Sequence, residues 1–161
     1  MNIRIGNGLD IHKLAKGKKF ILGGIEIDSI YGITAFSDGD IVIHALVDSI
    51  LGALSLGDIG TYFPSNDSKW NGVNSVVFLN KAIDEMVKLN YQIINIDITI
   101  ILQKPSLSKY KEIIKKNLSS LLKLNKSQVS IKATTSDKLG FIGREEGIAV
   151  FVTTLLTRNG S

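Results

Sequence analysis

The residues around the only two histidines of the chain are of the kinds that bind metal ions. Asp10 and His12 are two positions apart on a predicted strand, so their side chains point to one face. His44 lies on a predicted helix, with Asp40 and Asp48 one turn before and after it. One aspartate and two histidines leave the fourth position of a zinc ion open, as in catalytic sites, and an acid one turn away would orient the imidazole. An ordinary hydrogen-bonded Asp–His pair is the alternative.

Two further clusters place acids beside glycines at the ends of predicted elements. They are Ser37-Asp38-Gly39-Asp40 and Leu56-Gly57-Asp58-Ile59-Gly60, the latter followed by Phe63-Pro64. A ligand can approach the backbone closely at such positions. Turn formation explains the same residues equally well.

A fourth cluster, residues 132–147, is typical of a phosphate site. A predicted strand ends in Thr134 and Thr135, whose hydroxyls and neighbouring backbone N–H groups can donate to oxyanions. Arg144 can bind a phosphate through two parallel hydrogen bonds, and Asp137 can hold a hard cation such as Mg²⁺. The alternative is a capped turn.

Several other kinds of protein are excluded. The chain has no cysteine, hence no disulfide scaffold and no thiolate metal site. It has no P-loop, and no serine or threonine has a histidine base near it in the sequence. No apolar run approaches the ~18–20 residues of a membrane span, and residues 1–6 do not have the pattern of a signal peptide. A cytoplasmic protein without a membrane partner is therefore expected.

The formal net charge of +4 is concentrated in one segment. Residues 104–126 contain seven lysines and a single acid, Glu112. A basic helix can bind nucleic acid. The segment contains a single aromatic residue, Tyr110, so it lacks the interleaved aromatic side chains that would stack on bases. A solvated helix face is the simpler explanation, and no nucleic-acid partner is predicted.

The 161 residues, 44% of them hydrophobic, predict one domain, residues 1–161. Apolar periodicity predicts the order β-β-α-α-β-α-β-β, and Gly6 and Gly8 predict a close approach or bulge in the first strand. The expected strands are 2–11, 20–22, 94–100, 129–135 and 148–156, and the expected helices 38–54, 75–89 and one starting at about 108. The expected N-caps are Ser37 or Asp38, Asn74 or Ser75, and Ser108, and Val87, Ile94 and Ile113 are among the predicted core positions. The order fits the α/β (α+β) class, a two-layer sandwich with a mixed sheet and helices on one face.

Five motifs, taken in order, resemble the 2-C-methyl-D-erythritol 2,4-cyclodiphosphate synthase family over essentially the whole chain. They are Gly8–His12, Leu22–Gly24, Ser37–Asp40 with His44-Ala45, Leu56–Gly60, and Lys132–Thr135 through Gly143-Arg144. The resemblance implies a chorismate mutase-like trimeric fold, that is, a homotrimer of two-layer subunits with active sites at the subunit interfaces.

The resemblance also implies a reaction. In this family 4-diphosphocytidyl-2-C-methyl-D-erythritol 2-phosphate is closed on itself in non-mevalonate isoprenoid biosynthesis. The 2-phosphate attacks the β-phosphorus, CMP leaves, and a cyclic diphosphate forms. Catalysis then rests on positioning and charge stabilisation, which agrees with the absence of a protein nucleophile.

The family's functional residues map onto matching positions of this sequence. Asp10, His12 and His44 would bind Zn²⁺, and Asp137, where the family has Glu, would bind Mg²⁺ or Mn²⁺. Thr135 would stabilise the transition state, and Lys104–Leu107 with Ala133 would form the cytidine pocket of a neighbouring subunit. The full set of implied substrate contacts is Asp10, His12, Phe36, Ser37, Asp58, Ile59, Gly60, Phe63, Asp67, Lys104, Pro105, Ala133, Thr134, Thr135, Ser136, Asp137, Phe141 and Arg144.

Three positions depart from the family pattern. Phe36 stands where the family has a histidine credited with helping the transition state. If that histidine acts through its side chain, the rate falls by ~10–1000-fold, and if it acts through backbone and shape, Phe36 is tolerated. Ser65 stands where an acid often follows Phe-Pro, with Asp67 two residues on. Ser106 stands where a lysine usually follows the proline at 105, with Lys104 before it.

Overall fold

The computed structural model describes residues 2–160, so the predicted domain limits at 1 and 161 lie just outside the described residues. The strands are β1 (Ile3–Lys16), β2 (Ile21–Leu22), β3 (Ile25–Glu26), β4 (Tyr31–Thr34), β5 (Tyr91–Ile101), β6 (Val129–Thr134) and β7 (Gly147–Arg158). The helices are α1 (Ile41–Ala53), α2 (Ile59–Tyr62), α3 (Val76–Lys88), α4 (Lys111–Leu122) and α5 (Gly140–Gly143), with short 3₁₀ turns at Ser68–Trp70 and Lys126–Gln128.

Five strands form one mixed sheet in the order β4-β1-β7-β5-β6, and β2 pairs with β3 in a separate hairpin. The β5–β6 pair is parallel and the other pairs are antiparallel. Helices α1, α3 and α4 pack on the sheet face that carries the buried isoleucines and valines of β5 and β7, and all of them share one apolar core. The two-layer α/β prediction is confirmed.

At Gly6 and Gly8 the backbone of β1 lies directly against α1. A β-carbon added to Gly6 would come within 1.9 Å of the Ser49 carbonyl oxygen, and one added to Gly8 within 1.8 Å of the Ala45 carbonyl oxygen. Only glycine permits a strand and a helix to approach this closely. The predicted close approach at these glycines is therefore confirmed, and it fixes the position of α1 over β1.

Some local predictions were wrong. The N-cap of α1 is Asp40, and α4 begins after Tyr110 rather than at Ser108, because residues 107–110 form a separate turn. Strands β3 and β4 and helices α2 and α5 have only two to four residues each, too few to give a periodic signal.

Three predicted core positions are also exposed. A bulge between Ile93 and Asn95 shifts the register, so Ile93 is buried and Ile94 is not. Val87 and Ile113 lie beside the buried stripes of α3 and α4, and each exposes more than half of its surface.

We expect Gly8→Ala to lower the unfolding free energy by about 3 kcal/mol or more, because β1 and α1 must separate to admit the methyl group. Gly52→Ala on α1 is the matched control, since a β-carbon there meets nothing closer than 3.7 Å. That variant should gain ~0.5–1 kcal/mol from higher helix propensity. Urea unfolding followed by circular dichroism measures both, and equal effects would contradict the close-packing account.

Candidate functional site

Strand β1 and helix α1 bring three potential metal ligands together. Asp10, His12 and His44 each offer an atom within 4.8 Å of the other two. Oδ2 of Asp10 lies 3.2 Å from Nδ1 of His12 and 3.2 Å from Nδ1 of His44. Gly8 lets β1 pack directly against α1 just before Asp10. Backbone packing therefore sets the distance from Asp10 and His12 on the strand to His44 on the helix.

The donor set fits a zinc ion. The buried Nδ1 of His12 has no partner in hydrogen-bond geometry among the described residues, which is what a site built for a cation leaves behind. One carboxylate oxygen and two imidazole nitrogens suit zinc with a fourth position open. Burial raises the pKa of Asp10, but its contacts with His12 and His44 outweigh burial and lower the pKa to about 2. The carboxylate is therefore charged at neutral pH, as a metal ligand must be.

The other ring nitrogen of His44 faces two hydroxyl groups. Its Nε2 lies 3.0 Å from Oγ of Ser37 and 2.9 Å from Oγ of Ser75. Ser75 is fully buried, and its hydroxyl donates to the carboxylate of Asp38. The imidazole is thus held on both sides.

The expectation that Asp40 or Asp48 orients His44 is wrong. The buried carboxylate of Asp40 accepts from the backbone N–H groups of Gly23, Gly24 and Ile43, which ties the β2–β3 turn to the start of α1. Burial raises the pKa of Asp40 to about 6 despite these bonds. Asp48 accepts from the N–H of Ile59 at 2.7 Å and so anchors the start of α2. Both acids are engaged by backbone donors instead of the imidazole.

A cavity of about 150 Å³ opens beside the metal ligands. Five of the predicted contacts, His12, Phe36, Ser37, Ile59 and Phe63, line it together with His44. Its remaining wall is formed by Ala35, Ser65, Trp70 and Phe78. The mostly apolar wall beside polar imidazole groups suits a small carbon skeleton that carries polar groups.

A second cavity, of about 360 Å³, is lined by the predicted cytidine-pocket residues Lys104–Leu107 and Ala133 and by the predicted phosphate contacts Thr134 and Thr135. The remaining lining residues are Leu102, Gln103, Ser108 and Lys111. The two cavities have no lining residue in common.

A single row of paired residues links the two regions across the sheet. Asp10 pairs with Val150, Val150 with Ile100, and Ile100 with Ala133. Since neighbouring strands lie about 4.8 Å apart, the two sites of one chain are separated by three strand spacings, about 14 Å. Both sites therefore belong to the same end of the sheet.

The remaining predicted contacts are held by their own turns. Asp58 is the N-cap of α2, which contains Gly60, and Asp67 caps the following 3₁₀ turn and pairs with Lys69 at 2.8 Å. The hydroxyl of Ser136 donates to the Leu139 carbonyl oxygen.

Phe141, Asp137 and Arg144 lie further along the same segment. Phe141 lines a cleft next to His12. Asp137 is exposed and belongs to no group of three ligating side chains in residues 2–160. The guanidinium of Arg144 makes two hydrogen bonds to Glu146, so an incoming phosphate would have to compete with that carboxylate.

Sequence reasoning missed the roles of Ser75, Asp38, Trp70 and Phe78. Ser75 was expected only to cap α3, and it does occupy the N-cap position, but its side chain bonds Asp38 and His44 instead of the helix. Ser75 lies 31 residues from His44 along the chain. No local spacing rule connects positions so far apart, so no signal in the sequence pointed to this contact.

Comparison with known proteins agrees with this architecture. The sequence profile of the YgbB family matches residues 3–157. The chain belongs to the YgbB family. Two curated relatives bear the name 2-C-methyl-D-erythritol 2,4-cyclodiphosphate synthase. The protein of Brachyspira hyodysenteriae is 53% identical over 97% of this chain and 99% of its own length. That of Leptospira borgpetersenii is 48% identical over 97% of this chain and 98% of its own length.

Solved structures of this family have the same fold. The Plasmodium falciparum IspF–CDP complex superposes with a TM-score of 0.86 at 43% identity, over 98% of this chain and 97% of that one. The bifunctional IspDF of Campylobacter jejuni superposes with a TM-score of 0.93 at 40% identity, over 97% of this chain. The present chain spans 42% of that bifunctional protein. The family resemblance inferred from the five motifs is confirmed.

Proposed function

We propose that this chain converts 4-diphosphocytidyl-2-C-methyl-D-erythritol 2-phosphate to 2-C-methyl-D-erythritol 2,4-cyclodiphosphate with release of CMP, as a cytoplasmic enzyme of non-mevalonate isoprenoid biosynthesis. The observation that carries the proposal is the Asp10–His12–His44 group beside a small cavity, in a chain whose relatives bear the synthase name. No helix within residues 2–160 has the length and apolar character that crossing a bilayer requires.

Asp10, His12 and His44 would hold zinc, which when bound supplies a Lewis acid and a template for the phosphates. Ser37 would donate to the attacking 2-phosphate, and Asp58 with the backbone of Gly60 would bind the erythritol hydroxyls. These groups surround or adjoin one cavity, so their combined effect is to hold the reacting phosphate in place.

The diphosphate and nucleotide would occupy the second cavity. Thr134 and Thr135 line it with exposed hydroxyls, and Thr135 would donate to the phosphate oxygens as negative charge develops. Asp137 is two residues away and would hold a magnesium or manganese ion together with phosphate oxygens, since no second carboxylate of the described chain joins it in a ligating group. The loop from Lys104 to Leu107, contributed by a neighbouring subunit, would enclose the cytosine.

Position 36 bears on whether turnover is efficient. The Phe36 carbonyl oxygen accepts a hydrogen bond from the N–H of Gly72 at 2.8 Å, and its ring lines the cavity next to Ser37. The backbone at this position therefore holds the loop that carries Trp70, whatever the side chain is. This favours a role in backbone contact and shape, and with it an active enzyme over an impaired phosphate-binding relative.

The sheet face opposite the helices supports the homotrimer. Ile3, Ile5, Leu9, Ile11 and Phe151 each expose more than 40% of their surface there. Leu9 and Phe151 are paired across β1 and β7, so these side chains form a continuous apolar strip. A strip of this kind is typical of a protein–protein interface. We propose that it packs against two further copies of the chain, with active sites between neighbouring subunits.

Purified protein given the cytidyl substrate, Zn²⁺ and Mg²⁺ should form CMP and the cyclic diphosphate, both resolved by phosphorus NMR. Asp10→Ala should reduce the rate at least ~10³-fold, because losing the metal removes several kcal/mol of charge stabilisation. Asp84→Ala, which removes an exposed acid of α3, is the matched control and should leave the rate unchanged. Release of CMP with a linear phosphate product would instead indicate a phosphoesterase.

We expect Phe36→His to change kcat by less than about tenfold, because the contact of Phe36 with Gly72 is made by the backbone. Steady-state kinetics with the same substrate measures this. A gain of ~10²–10³-fold would show that the position works through a side-chain donor, and that the natural chain is an impaired relative.

Sedimentation equilibrium should give three times the chain mass of 17.5 kDa. Ile5→Lys should shift the mass toward the monomer, because it places a charge in the apolar strip. Ile30→Lys, at an exposed isoleucine outside the sheet, should leave the trimer intact. A monomeric wild type would contradict the proposed assembly.

A further inference from the structure

A chain of hydrogen bonds runs inward from His44, on the side of its ring away from Asp10. Nε2 of His44 meets Oγ of Ser75 at 2.9 Å, and the Ser75 hydroxyl meets Oδ1 of Asp38. Ser75 is fully buried and His44 is 9% exposed, so water does not replace these partners readily. The direction of each bond follows from counting the available hydrogens.

Asp38 is an acceptor throughout. Its Oδ2 accepts from the backbone N–H of Ser75 at 3.0 Å, and its Oδ1 accepts from the N–H of Asp40 at 3.1 Å. An ionised carboxylate has no hydrogen to donate, so the hydrogen of the Ser75 hydroxyl must point to Asp38. Oγ of Ser75 can then only accept from His44, and Nε2 of His44 must carry a hydrogen.

This assignment fixes which nitrogen of His44 is free to bind a metal. A neutral imidazole with its hydrogen on Nε2 has its lone pair on Nδ1, and Nδ1 is the atom that lies 3.2 Å from Asp10. We propose that Ser75 and Asp38 are positioning residues that hold His44 as the Nε2–H tautomer and so present Nδ1 to a divalent cation. The inference rests on the proposed function only for the identity of that cation, zinc.

The same count assigns the hydroxyl of Ser37. Nε2 of His44, 3.0 Å away, already bears a hydrogen, so Ser37 cannot donate to it. Oγ of Ser37 accepts from the N–H of Gly39 at 3.3 Å. The hydroxyl hydrogen of Ser37 is therefore available to an acceptor in the adjoining cavity, such as a phosphate oxygen. The buried Ser75 thus orients His44 and leaves the hydroxyl of Ser37 free to donate to a bound phosphate.

Zinc affinity of the metal-free protein, measured by competition with a chromophoric chelator, tests the proposal without the substrate. We expect Ser75→Ala to bind zinc ~10–100-fold more weakly, the usual effect of removing an outer hydrogen-bond partner. Ser75→Thr keeps a hydroxyl and should restore most of the affinity. Equal affinities for the wild type and Ser75→Ala would overturn the proposal.

Ser49→Ala is the matched control. Like Ser75, Ser49 is a buried serine, but it lies on α1, five residues after His44, and its hydroxyl bonds Leu46 and Thr154. Its loss should lower stability and leave zinc affinity unchanged. If this control loses zinc affinity to a similar extent, general destabilisation explains the effect of Ser75→Ala, and the proposal is overturned.

Nitrogen-15 NMR of the imidazoles supplies a readout that stability alone does not move. The chain has only two histidines, so the spectrum is simple to assign. In the zinc-loaded protein we expect a slowly exchanging Nε2–H proton on His44, which exchanges rapidly in Ser75→Ala. Rapid exchange in the wild type would contradict the assignment.

A second variant covers the case in which Ser75→Ala does not fold. If Ser75→Ala fails to fold, Asp38→Ala takes its place, because it removes the carboxylate that accepts from the Ser75 hydroxyl and leaves that hydroxyl free to donate to His44. That variant should also bind zinc more weakly, and wild-type affinity would overturn the proposal.

One outcome separates this proposal from the proposed function. Normal zinc binding in a wild type that lacks cyclase activity would refute the proposed function and leave the tautomer assignment standing.

Discussion

The backbone contact between β1 and α1 is the constraint on which the rest of the site depends. At Gly6 and Gly8 the strand lies so close to the helix that a single methyl group would overlap a carbonyl oxygen. Two of the three potential metal ligands follow on the strand, and the third lies on the helix, one residue before Ala45, whose carbonyl oxygen faces Gly8. Rigid packing thereby replaces flexible side chains as the means of setting the spacing between ligands.

Three carboxylates, one buried and two half-buried, stabilise this arrangement. Asp38 precedes the helix that carries His44, Asp40 caps it and Asp48 lies on it, and each accepts from backbone N–H groups of a neighbouring segment. These bonds attach the β2–β3 turn, the start of α2 and the start of α3 to one helix. A buried carboxylate left without such donors is costly, so the three loops around the site are constrained by the same helix that bears the ligand. Loops held in this way can position a substrate before it reacts.

Much of the site could be predicted from sequence because its residues lie in short motifs with definite periodicity. Asp10 and His12 were placed on one strand face by their spacing, and Gly8 was recognised as a point of close approach. The failures are of one physical kind. The side-chain partners of Asp40, Asp48 and Ser75 are backbone groups or residues 11 to 37 positions away, and helical spacing alone suggested the wrong partner for His44. Apart from β2, which lies within the predicted strand 20–22, the elements of two to four residues were missed because they derive their stability from neighbours instead of from their own pattern.

We propose that β1 and α1 together form a zinc site with one position open to the substrate. Anomalous diffraction at the zinc edge from crystals of the zinc-loaded protein tests that claim most directly. The predicted result is one strong peak per chain, bound by Asp10, His12 and Nδ1 of His44, with its open side toward the cavity lined by Phe36 and Ser37. A zinc peak elsewhere, or one bound through Nε2 of His44, would contradict the account.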